Sequence, residues 1–186
     1  MEKMIRTIAI LLVAALTAAI LAGPRPAMAA DAAAIDRDAR AALSTLYDST
    51  PLARMLGERA KAILVFPSIV KAGFVVGAQT GNGALLVNGS TVAYYNVTAA
   101  SYGLQAGIQK FGYALFLMTD SARAYIDKSG GWEVGVGPSI VVVDAGVAKS
   151  LTTTTAKDDV YAFIFSQKGL MAGLGLQGSK ITRINP

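Results

Sequence analysis

The chain contains neither cysteine nor histidine, and the two absences exclude a good deal of chemistry. Without histidine there is no Ser-His-Asp triad and no imidazole base. Without cysteine there is no thiolate nucleophile and no zinc cage of the Cys/His kind. Disulfides are excluded as well, so cysteine usage says nothing about redox compartment. Charge is also scarce, at 16% of residues against 53% hydrophobic. What remains is 186 residues, enough for one domain with a real core, since domains usually run to about 100–150 residues. A mean hydropathy of +0.47 is high for a soluble protein and asks for a local source.

Part of that source is the N-terminus. Lys3 and Arg6 precede an apolar stretch from Ile8 to Ala22, Gly23, Pro24 and Pro26 follow, and Ala27-Met28-Ala29 supplies small residues at −3 and −1 of a cleavage site. That order predicts a signal peptide over residues 1–29. The apolar run is shorter than the ~20 residues that cross a bilayer, and no cysteine near the cut offers a lipid anchor. The expected product is Ala30–Pro186, exported to the periplasm or secreted. Loss of the leader turns 17 basic and 12 acidic residues into 14 and 11, so the net charge falls from +5 to +3. This mild positive bias suits anionic surfaces and falls far short of the basic stripe of a nucleic-acid binder.

Two amphipathic helices are expected over 31–62. Ile35, Ala39, Ala42, Leu43, Leu46 and Tyr47 recur at spacings of three and four. Asp48-Ser49-Thr50-Pro51 interrupts them, with Thr50 as N-cap and Pro51 at the first helical position, and Leu52, Met55, Leu56 and Ala60 share one face beyond. From Ile63 onward the texture is short apolar and β-branched runs up to about residue 184. Gly81-Asn82-Gly83, Asn88-Gly89 and Ser129-Gly130-Gly131 read as turns between them, and Asn88-Gly89 is a strong two-residue hairpin signal. One helix is expected near 119–129, capped by Thr119 and stopped at Gly130. Seventeen of the 19 glycines lie between Gly73 and Gly178. Glycine inside a strand is tolerated where a sheet bends or another backbone approaches closely. The expected fold is α+β: a small, strongly curved, mainly antiparallel, barrel-like sheet over 63–184, with the N-terminal helices packed on it.

Several blocks resemble the SYLF-domain family: Phe66-Pro67-Ser68-Ile69-Val70-Lys71-Ala72-Gly73-Phe74, Gly83-Ala84-Leu85-Leu86-Val87, Tyr102-Gly103-Leu104-Gln105-Ala106-Gly107, Met118-Thr119-Asp120, Gly131-Trp132-Glu133-Val134-Gly135 and the segment from Phe163 to Gly173. Order and spacing hold from about Arg59 to Ile184. Eukaryotic members of that family bind phosphoinositides and other membrane lipids, some bind actin filaments, and bacterial members are exported envelope proteins. The resemblance implies a non-catalytic phospholipid-binding module of the bacterial envelope, with an envelope protein-interaction or scaffold role as the alternative. Gln79, Asn82 and Gln177 stand where family members often carry acidic residues, which weakens any cation site there.

Other motifs carry less. Gly173-Leu174-Gly175-Leu176-Gln177-Gly178 satisfies G-x-G-x-x-G, yet only eight residues follow it, too few for the helix and second strand a dinucleotide site needs. No nucleotide, cofactor or metal is expected. Ser68 and Lys71 form a Ser-x-x-Lys pair, which would serve a hydrolase only with a desolvated lysine. No partner motif accompanies it, so no catalytic residue is assigned. Asp158-Asp159 reads as a solvated turn. The residues expected to meet anionic headgroups are Arg54, Arg59 and Lys61 at the second helix, Lys71 after Phe66-Pro67, and Lys168, which Lys149 and Lys180 would join around one mouth of the barrel. Trp132 suits either a core position or an anchor at a membrane interface. A membrane-spanning barrel fits less well, because most runs are shorter than ~10 residues.

Overall fold

Two strands dominate the fold: β1, Ala62–Val87, and β2, Ser90–Leu117. Laid straight, the 26 residues of β1 would span about 85 Å at 3.3 Å per residue. A domain of ~150 residues has a radius of gyration of only ~15 Å. The hairpin therefore has to curl, and its sequence supplies the means. The computed structural model describes residues 32–128, 131–134, 136–143, 155–169 and 178–186, except the side chains of 74–76, 101–106 and 169. The signal-peptide reading, Lys149, Gln177, the stop at Gly130 and the first five residues of the glycine motif at 173–178 lie outside them.

Asn88 and Gly89, with φ of 48° and 75°, form the tight turn between β1 and β2, as their residue types predict. Gly81-Asn82-Gly83 is not a turn. It lies inside β1, paired with Val97, Asn96 and Tyr95 of β2, and the separate runs read along 63–87 are one bent strand. Gly83 sits where β1 passes against its own beginning: a Cβ there would lie 2.5 Å from the Val65 carbonyl oxygen and 2.6 Å from the Phe66 ring. Only glycine allows that approach.

Strand β5, Val160–Gly169, pairs antiparallel with the C-terminal part of β2. Strand β6, Lys180–Ile184, pairs antiparallel with residues 94–98 of β2. Strand β3, Trp132–Glu133, adds to β6, and β4, Ile140–Val143, runs parallel to β5. The order is β3-β6-β2-β5-β4, with β1 along β2. This is the expected α+β fold with a strongly curved, mainly antiparallel sheet.

Two bulges sharpen the bend at one level. Between Phe66/Tyr113 and Ile69/Phe111, β1 has Pro67 and Ser68 where β2 has only Gly112. Between Gly112/Phe165 and Lys110/Lys168, β5 has Ser166 and Gln167 where β2 has only Phe111. Both neighbours of β2 thus carry an extra residue beside Gly112. Proline suits such a place because a bulge frees it from the ladder.

Alternation sorts the apolar side chains onto two faces. Leu64, Phe66, Ile69, Leu85, Tyr95, Val97, Tyr113, Leu115 and Ala162 fill the inner core. Helix α3, Asp120–Ile126, adds Ala122 and Ile126 to that core. Ile63, Val65, Ala84, Leu86, Phe116, Tyr161 and Phe163 point outward beneath two helices, α1 over Ala32–Ser49 and α2 over Pro51–Gly57. These bury Ile35, Ala39 and Leu46, and Ala53 and Leu56. Thr119 caps α3 as predicted, its hydroxyl accepting from the Ala122 N–H at 3.2 Å. Thr50 occupies the N-cap of α2 without a side-chain bond to the helix backbone, and Pro51 stands at the first helical position.

Candidate functional site

The predicted basic residues do not form one group. Arg54, on α2, donates to Asp48 at 3.3 Å and lies 5.3 Å from the centre of the Tyr47 ring. Lys61 faces Asp120 at 3.9 Å. Arg59 is exposed just beyond α2. A cleft of about 510 Å³ opens between the helices and the Asn88–Gly89 turn, lined by Arg40, Tyr47, Arg54, Leu43, Ile63 and Leu86. Arg40 is paired as well: it bonds Asp36 at 2.9 Å and donates to the Gly89 carbonyl at 2.6 Å. The Arg40 hydrogen bond, joined by one from Thr91, holds the Asp36 carboxyl below the usual carboxylate range. Arg40, Arg54 and Lys61 therefore meet carboxylates of their own chain, which lowers their worth to an outside anion.

Lys71 is elsewhere. It is 6% exposed, on the inner face, with Gln109 opposite it on β2. The bulge at Pro67–Ser68 explains this. Inner positions of β1 are even-numbered up to Phe66 and odd-numbered from Ile69 onward, so the extra residue turns Lys71 inward. Placement on a headgroup-facing surface with Arg54, Arg59 and Lys61 is thereby corrected. Further along the inner face Gln79 Nε2 donates to Ser179 Oγ at 2.9 Å, and both are buried. On the opposite face of β1 Asn82 accepts from Asn96 Nδ2 at 2.7 Å. Among the described residues no group of three or more acidic side chains converges on a cation position.

Lys168 does face outward, with a companion that sequence reasoning missed. Lys110 of β2 stands directly opposite it, Val70 of β1 stands opposite Lys110, and Ala72 stands opposite Ile108. Residues directly opposite in a ladder share a face, so these five side chains form a patch across three strands. Val70 is 41% and Ile108 68% exposed, and Ala72, Lys110 and Lys168 are exposed. Neither lysine has a carboxylate partner among the described residues. One signal was available beforehand: β1, β2, β5 and β6 contain no Asp or Glu at all, yet carry Lys71, Lys110, Lys168, Lys180 and Arg183. Of the others, Lys180 is opposite Glu133 and Arg183 lies 3.5 Å from Asp127. Among the described strand residues, Lys110 and Lys168 are the exposed cations with no carboxylate opposite them in the ladder or within ion-pair distance.

Trp132 is a core residue, 1% exposed, with its Nε1–H donating to the Val136 carbonyl at 3.0 Å; it is no interfacial anchor. Asp159 is more than a solvated turn: it accepts from the Thr119 hydroxyl at 3.0 Å and from Ser139 at 3.3 Å, tying the start of α3 to the segments before β4 and β5. No helix among the described residues is long and apolar enough to cross a membrane.

Residues 98–185 match a family model described as Las17-binding protein actin regulator (Ysc84), which is the SYLF resemblance over that stretch. The matched stretch covers most of β2 and everything after it. Helices α1 and α2, β1 and the motif blocks at Phe66 and Gly83 precede it. No curated protein matches the chain.

Proposed function

We propose, from the premise that residues 98–185 belong to the SYLF family, that this chain is a non-catalytic phospholipid-binding module of the bacterial cell envelope. Its leader directs export, and the folded part meets anionic headgroups through basic side chains. One observation carries the reading: the four longest strands hold five cations and no carboxylate. A sheet built this way presents positive potential around Lys110 and Lys168, which no carboxylate among the described residues faces, and lipid phosphates are the abundant anions of an envelope.

Sedimentation with vesicles tests it. Vesicles of phosphatidylglycerol and phosphatidylcholine are expected to carry the purified chain down at low salt, and vesicles of phosphatidylcholine alone to leave it in solution. Binding should weaken steeply toward 0.5 M salt, because the charge contribution is screened. Equal distribution between the two vesicle types at low salt overturns the reading. The family's printed description names protein binding, and this supports a second reading, an envelope scaffold that recognises a protein. A chain that ignores both vesicle types and co-purifies with one defined partner would establish that alternative.

A further inference from the structure

We infer that the membrane-contact surface is the outward face of the β1–β2–β5 sheet around Lys110, not the helix pair; this rests on the lipid-binding reading above. Val70 and Ile108 enter the boundary between headgroups and acyl chains, and Lys110 and Lys168 share one lipid phosphate. Four observations converge on the assignment.

The first is exposure in the wrong place for a core. The outward face is apolar under α1 and α2, where Phe116, Tyr161 and Phe163 are covered. Beyond the helices it continues as Val70, Ala72 and Ile108, which no described helix covers. Val70 and Ile108 are diagonal neighbours across β1 and β2, a separation of about 7–8 Å that side chains of this size nearly bridge. Large apolar groups left in water at adjacent positions, bordered by positive charge, match the composition of an interfacial contact.

The second is the lysine pair. Like charges directly opposite across a ladder repel, and Lys110 faces Lys168 with no carboxylate among the described residues to offset either. One phosphodiester between the two ammonium groups removes that repulsion.

The third is the bulge that makes the pair. Ser166 has φ of +53°, a left-handed conformation that L residues other than glycine seldom take. It belongs to the extra residue of β5 opposite Phe111. In a regular ladder Gln167 would stand opposite Lys110, and Lys168 would turn to the inner face. The strained residue is what aims Lys168 outward, and bulges commonly serve to re-aim a side chain.

The fourth concerns the alternatives. A second copy docked on this face about a two-fold axis would bring four lysines together, which opposes self-association. The helix pair has its Arg40, Arg54 and Lys61 already matched with Asp36, Asp48 and Asp120. An anion gains less there.

The absence of cysteine provides a clean test, because one introduced thiol is the only thiol in the protein. Ile108→Cys and Glu58→Cys, each carrying an environment-sensitive fluorophore, are mixed with phosphatidylglycerol vesicles, with and without brominated acyl chains. The label at 108 is expected to shift to the blue and to be quenched by bromine, and the label at 58 to stay in water. In parallel, the Lys110→Gln, Lys168→Gln double variant should lose affinity for the vesicles by about 25-fold, at about fivefold per lysine. The Arg54→Gln, Arg59→Gln, Lys61→Gln variant should stay within about threefold of the parent. All the substituted side chains are exposed, and circular dichroism verifies that each variant is folded. A response at 58 and none at 108, or loss of binding only in the helix variant, overturns this assignment while lipid binding stands. A parent chain that ignores the vesicles overturns both.

Discussion

Among single residues, the tyrosines record how closed the core is. Burial pushes the phenols of Tyr95 and Tyr113 well above the usual range, and for Tyr95 a hydrogen bond to Asp127 adds to the effect. Burial raises those of Tyr47 and Tyr161 in the same direction. A phenol whose pKa is higher in the folded than in the unfolded chain favours folding fully below the unfolded value of about 10. That contribution disappears as the pH climbs through the folded value. The urea midpoint is therefore expected to drop above about pH 10, and Tyr113→Phe should make the drop shallower. Tyr95→Phe also deletes the bond from its hydroxyl to Asp127, a change that should cost about 1 kcal/mol at neutral pH. A midpoint unchanged from pH 9 to 11.5 would contradict the burial of these rings.

Of the elements, β1 and β5 depend on local exceptions to strand regularity. Gly83 is the first. Its missing Cβ is what lets β1 pass against its own Val65 carbonyl, and Gly83→Ala should destabilise the fold by about 2 kcal/mol through overpacking. Ser166 is the second. Glycine takes φ of +53° without steric cost, so Ser166→Gly should raise stability by about 0.5–1 kcal/mol, less the extra entropy glycine loses on folding. Because the bulge persists, Lys168 keeps its direction and vesicle affinity should not change. Urea titration and vesicle sedimentation of the two variants check both expectations. The Pro67–Ser68 bulge has the opposite effect on its strand, sending Lys71 inside, and alternation in the sequence could not foresee a parity change at that point.

For the molecule as a whole, charge and topology act together. Strands β1, β2, β5 and β6 carry Lys71, Lys110, Lys168, Lys180 and Arg183 and no carboxylate. Curling the sheet buries Lys71, sets Lys180 and Arg183 beside acidic partners, and leaves Lys110 and Lys168 exposed together. On the proposed lipid-binding reading, an anionic vesicle would meet a small positive area with an apolar margin. Its affinity should fall by at least tenfold between 50 mM and 500 mM salt and retain a residue that Ile108→Asp abolishes. Complete insensitivity to salt would locate the binding in apolar burial alone.

Much of this protein was legible in its residues. Helix periodicity, read over 31–62 and found as α1 and α2 up to Gly57, the Asn88-Gly89 turn, the Thr119 cap and the density of strand glycines each reflect interactions within a few positions, where local geometry leaves few choices. The SYLF motifs were legible for the same reason, as order and spacing along one chain. Three things belonged to the tertiary structure. Runs that looked like separate strands are one strand, because their pairing is set by β2 and not by the glycines between them. Lys71 and Lys168 exchange the faces that simple alternation would assign, because two bulges beside Gly112 shift the parity of β1 and β5 while β2 keeps its own. The companionship of Lys110, Lys168, Val70 and Ile108 exists only across strands far apart in sequence, and long-range register is information that no local pattern holds.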